Sequence, residues 1–128
     1  MKKHRWGVMA AAALAVNAAF AASVLDFDRW MRRVDKSSVA VQWSIARHDD
    51  AAALADAKQI EALYGLMADF FSADGQPGEA ARMSHEGREL AASMIAAIER
   101  QDYDAASLAA ITIARACSDC HHLYRPFN

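Results

Sequence analysis

Two cysteines and a histidine near the carboxyl end have types and spacing that suit chemistry: Cys117-Ser118-Asp119-Cys120-His121. On a helix, positions three and four apart are neighbours, so Cys117 lies beside both Cys120 and His121. Two thiols on one face can each add to a haem vinyl group. The imidazole that follows is then carried under the porphyrin, where it can bind iron. Cys-x-x-Cys-His is the attachment sequence of c-type haem, and it implies one covalently held haem. Other uses of these residues fit less well. A disulfide between positions i and i+3 of one helix strains the bond geometry. A thioredoxin-like redox pair needs a βαβ setting, and the sequence has no strand pattern. Zinc needs further ligands, and only His122 is close in sequence.

The amino terminus fits an exported protein. Lys2, Lys3 and Arg5 form a basic region ahead of the apolar run from Gly7 to Val16. Ala19-Phe20-Ala21 then places small residues where a signal peptidase reads. Residues 1–21 are expected to be a secretory signal peptide, with the functional domain in 22–128. The apolar run is short for a bilayer span, so no membrane association is expected once the signal is removed. Losing three basic residues and no acidic one moves the formal charge from −2 to −5. No basic stretch suggests a nucleic-acid groove, and a partner with a basic docking patch would be favoured.

The elements that must position the motif are helices. The 128-residue chain is 55% apolar, much of it alanine, with only five glycines and two prolines. This suits one helical domain and argues against many tight β-turns. The main breaker is Asp74-Gly75-Gln76-Pro77-Gly78, with weaker ones at His48-Asp49-Asp50 and Gln101-Asp102-Tyr103-Asp104. Ser23 with Asp26 resembles a capping box. The expected helices are about 24–47, 50–72, 78–100 and 103–124, each roughly 33 Å long. Equal lengths and short connections predict an all-α, antiparallel up-down-up-down four-helix bundle.

At 100° per residue, the first helix buries Phe27, Trp30, Met31, Val34, Ser38, Val41 and Ile45. The second buries Ile60, Leu63, Tyr64, Met67, Phe70 and Phe71, and the third Met83, Gly87, Leu90, Met94, Ala97 and Ile98. The fourth stripe runs through Tyr103, Ala106, Ala110 and Ile113 and ends in Cys117, Cys120, His121 and Tyr124. It alone ends in chemistry. No second cluster of acid, base or metal-binding residues is present, which argues against an enzyme with its own substrate.

The whole segment 22–128, and above all its ending Cys117-Ser118-Asp119-Cys120-His121-His122-Leu123-Tyr124-Arg125, resembles the cytochrome c prime family. The resemblance implies that Cys117 and Cys120 hold the haem and that His121 is the proximal iron ligand. It also implies that Arg125 is the basic residue near that imidazole, although a cation at a helix C-terminus is favourable in any case. Family members divide by their distal residue. Low-spin members fill the sixth iron position with a methionine of the first helix and carry electrons in the periplasm by Fe(II)/Fe(III) cycling, between redox protein donors and acceptors. High-spin members leave that position vacant and bind nitric oxide or carbon monoxide. Either kind needs the cytochrome c maturation machinery. A helical structural or adaptor domain without haem is the alternative from another class.

The end of the fourth helix lies level with the start of the first, the end of the second and the start of the third. That sets His48 at the opposite end. His85 and His122 are level with the motif, but each points away from its helix's buried face. Met67 and Met83 face inward at the right level, where methionine commonly fills core. Met31 faces inward on the first helix and is the expected sixth ligand. The alternative has Met31 packed beside the porphyrin, with Val34 or Trp30 over the iron. Position 27 is Phe where the family's first helix carries arginine four residues before the distal residue, and the connection between helices one and two is shorter than is usual for the family. Arg29, Arg32 and Arg33 lie close by, facing either haem propionates or water.

Trp43 points away from the buried face, near Leu25 and Val39. The resemblance implies a homodimer through helices 1 and 2, and an outward tryptophan suits a contact surface. A dimer held there predicts that Trp43→Glu elutes from gel filtration at half the apparent size of wild type. Monomeric elution of both proteins excludes the contact.

Overall fold

The computed structural model describes residues 22–73 and 75–124. Four helices account for nearly all of them: α1 (Val24–Ala46), α2 (Asp50–Phe71), α3 (Gly78–Glu99) and α4 (Tyr103–Leu123). Among the described residues there are no strands, and none of the helices is long and apolar enough to cross a membrane. Each helix packs on its neighbours around the ring α1–α2–α3–α4, with the α1–α4 seam the lightest. The short connections force neighbouring helices to run antiparallel, so the fold is the expected four-helix bundle.

The helix ends follow local chemistry. Ser23 and Asp26 form the capping box: Ser23 Oγ accepts from the Asp26 amide at 3.2 Å, and Asp26 Oδ2 accepts from the Ser23 amide at 3.0 Å. The α1–α2 and α3–α4 turns share one design. His48 (φ 56°) and Gln101 (φ 58°) adopt the left-handed conformation. The amides of Asp49 and Asp102 then reach back to the Ser44 and Ala97 carbonyls, and those of His48 and Gln101 to Ile45 and Ile98. These are Schellman closures, made here without glycine. The same aspartates cap the helices that follow, accepting from the Ala52 amide at 3.2 Å and the Ala105 amide at 3.1 Å.

Side chains tie the two turns together. Tyr103 donates its hydroxyl to Asp50 Oδ1 at 2.9 Å, and Gln101 donates to Asp50 Oδ2 at 3.2 Å. The His48 ring lies flat on Tyr103, with centroids 3.9 Å apart. His48 is thus at the end of the bundle away from the Cys-x-x-Cys-His run.

Between the two ends, Val34, Val41, Ile45, Ile60, Met94, Ile98 and Ile113 are fully enclosed. Alanines such as Ala53, Ala57, Ala91 and Ala106 are buried among them and let the helices approach closely. The inward faces match the periodicity except at His121, which is exposed, and Trp30, Met31, Phe70, Phe71 and Leu90 are only partly buried at the margins of the core. Trp43 is 64% exposed, as its position on the helical wheel requires.

The clamp between the turns adds stability without touching the other end. Tyr103→Phe removes one charge-assisted hydrogen bond while keeping the ring stack. It is expected to lower stability by about 1 kcal/mol in urea denaturation.

Candidate functional site

At the other end the helices do not close over a packed core. The start of α1, the end of α2, the start of α3 and the end of α4 surround a cavity of about 320 Å³. Helix α1 contributes Val24, Phe27, Met31 and Val34, and α2 contributes Tyr64, Met67, Phe70 and Phe71. Met83 and Ser84 come from α3, and Gln76 from the α2–α3 connection. The α4 wall is Ala116, Cys117, Cys120 and His121, continued by Tyr124.

The sequence-predicted residues therefore meet in one place: Cys117, Cys120, His121 and Met31 all line this cavity, as do Met67, Met83 and Val34. Trp30 does not line it; its ring stands edge-on to Phe27 and Phe70. His85 and His122 are exposed, as expected from their angular positions. His121 is also exposed although it borders the cavity, because it sits on the last turn of α4 at the rim. Arg29 and Arg32 face water and pair with Asp26 and Asp28 of their own helix. Arg125 and the expected signal peptide lie outside the described residues.

An aromatic cluster shapes the mouth. Phe27 stacks on Phe70 at 5.0 Å and meets Phe71 edge-on at 5.1 Å, and Phe70 and Phe71 meet at 5.2 Å. Phe27 is 7% exposed. It is the hub of this cluster, which gives position 27 an apolar role in packing α1 on α2.

The thiols differ in their surroundings. Both cysteines are free. Burial pushes the Cys117 thiol up from its ordinary pKa, opposed in part by a hydrogen bond with Tyr64. Burial, then the neighbouring Cys117, raises Cys120. Both sulfurs are therefore protonated at neutral pH. Tyr64 Oη lies 3.4 Å from Cys117 Sγ, and burial raises its phenol far above the ordinary value, so it keeps its proton.

Tyr64 reaches that sulfur through a notch in α3. A Cβ on Gly87 would lie 2.3 Å from the Tyr64 ring. Only a residue without a side chain lets the ring lie there. Sequence reasoning placed both residues on buried faces but did not connect them to the motif. A glycine within an otherwise apolar stripe was the available signal, because it marks a place where another helix's side chain can enter.

The donor set suits a c-type haem. Two protonated thiols and an imidazole border a predominantly apolar cavity, with thioethers on three further helices. No group of three or more His, Cys, Asp or Glu residues among those described is placed to hold a bare metal ion. Comparisons with known proteins add nothing: no family model matches the chain, nor does any curated protein or solved structure.

The cluster at the mouth carries much of the stability of this end. Phe27→Ala is expected to cost about 3 kcal/mol in chemical denaturation, toward the lower end for buried phenylalanine because the side chain already borders open space.

Proposed function

We propose that the protein is an exported c-type cytochrome of the cytochrome c prime kind, an electron carrier rather than an enzyme. One observation carries this reading: the Cys-x-x-Cys-His run forms one wall of an apolar cavity that Met31 also lines. Cys117 and Cys120 would hold one haem through thioether bonds. His121 would be the proximal iron ligand and Met31 the sixth. When bound, the haem supplies an iron that cycles between Fe(II) and Fe(III).

The chain's own residues do the rest. Val34, Met67, Phe70 and Phe71 give the site an apolar lining, and an apolar surround favours the less charged ferrous state. A Met31 thioether, as a soft ligand, favours the same state and raises the reduction potential. The basic leader and the Ala19-Phe20-Ala21 run support export to the periplasm, where the maturation machinery would attach the haem. The acidic balance of residues 22–128 suits redox partners with basic docking patches. A second reading is gas binding, with nitric oxide or carbon monoxide at a vacant distal position. Val34 favours it, being 2% exposed and next to Met31 on the cavity wall.

Expression with the maturation machinery is expected to give a product whose intact mass includes one haem, lost in the Cys117→Ala, Cys120→Ala double variant. The wild-type spectrum should be low-spin and insensitive to carbon monoxide. Met31→Ala should turn it high-spin, with stoichiometric carbon monoxide binding. A wild type that is already high-spin and reactive selects the gas-binding reading, and a bare polypeptide overturns both.

A further inference from the structure

The two cysteines of the motif are chemically alike, but the fold treats them differently. Cys117 has a side-chain partner, the Tyr64 hydroxyl at 3.4 Å; among the described residues Cys120 has none. Tyr64 is 7% exposed, and Cys117 is the partner its hydroxyl finds. A buried phenol without a hydrogen bond is costly, so this contact fixes where the hydroxyl points. The Gly87 notch fixes the ring itself, since any side chain there would collide with it. Three helices are thus committed to one contact: α2 supplies the phenol, α3 the space and α4 the sulfur.

In the free thiol either atom can donate. A thioether sulfur carries no hydrogen and can only accept, so the phenol must then be the donor. We propose that Tyr64 is a positioning residue that donates its hydroxyl hydrogen to the Cys117 sulfur, holding that attachment point and raising the reduction potential of the bound haem. This rests on the haem reading above. The positive end of the O–H dipole points toward the sulfur that joins the macrocycle. In a largely apolar cavity such a dipole is weakly screened, and it stabilises the form with the additional electron.

The test compares the full-length, haem-loaded wild type with Tyr64→Phe and Tyr64→Leu. Tyr64→Phe keeps the ring in its notch and removes only the hydroxyl. It is expected to lower the midpoint potential while the pyridine haemochrome still reports two thioether bonds. Tyr64→Leu, which removes the ring as well, should shift the potential by a similar amount, which assigns the effect to the hydroxyl; a much larger shift assigns it to the ring and overturns the dipole role. Gly87→Ala keeps the hydroxyl but pushes the ring away. In the haem-free chain it should therefore speed alkylation of Cys117 by iodoacetamide several-fold relative to Cys120, mapped by mass spectrometry. An unchanged potential in Tyr64→Phe overturns the dipole role, and an unchanged alkylation ratio in Gly87→Ala overturns the positioning. Either can occur with a haem-bearing wild type, whereas a wild type without haem overturns the underlying reading instead.

Discussion

An α-helix returns to the same face every three to four residues, so three groups at positions i, i+3 and i+4 can be presented together only while the helix persists. Here it persists through Leu123, beyond the whole Cys117–His121 run. That continuation is what lets two sulfurs and an imidazole share a wall. Its last turn has little to bury itself against, since the neighbouring helix ends surround a cavity and the α1–α4 seam is the lightest in the bundle. Space at this end and unbroken helix in α4 are therefore linked requirements: filling the space would cover the motif, and ending the helix early would scatter it.

The rest of the molecule supports that arrangement by concentrating packing elsewhere. Buried alanines draw the helices together through the middle, and the larger aliphatic side chains interlock between them. Toward the cavity the filling changes to aromatics and methionines. Aromatic rings give broad apolar walls, and thioethers adapt their shape to what lies beside them. Phe27 belongs to both regions, since it closes the α1–α2 seam and forms part of the wall.

Much of this was legible in the sequence because strong local signals agreed with one another. Asp49 and Asp102 announce helix starts, the Gly75–Gly78 stretch announces a loop, and the helix ends fall within one residue of those read from the pattern. The inward positions of Met31, Cys117 and Cys120 follow from angular placement alone. Ser38 follows from the same placement, but the buried Ser37 and Ser84 do not. Ser37 donates to Gln59 Oε1 at 3.1 Å, and Ser84 to the Ala80 carbonyl at 2.8 Å, so each is paired within the structure. Hydrophobic periodicity is blind to a small polar residue whose hydroxyl finds a partner, in its own helix as at Ser84 or across a seam as at Ser37. The Tyr64–Gly87–Cys117 contact was hidden for another reason. It depends on the rotation of three helices about their own axes, and no pattern within one helix encodes that.

The paired turns at the far end bear on how the bundle moves. Both are closed by backbone hydrogen bonds, and Asp50, Gln101, Tyr103 and His48 knit them into a single unit. The hollow end has a fastening of its own, the α2–α3 connection that brings Gln76 to the cavity. α1 and α4 are the neighbours that no connection joins, and theirs is the lightest seam of the bundle. A change in what fills the hollow would therefore bear first on the α1–α4 seam, with the interlocked middle layers holding the other contacts in register.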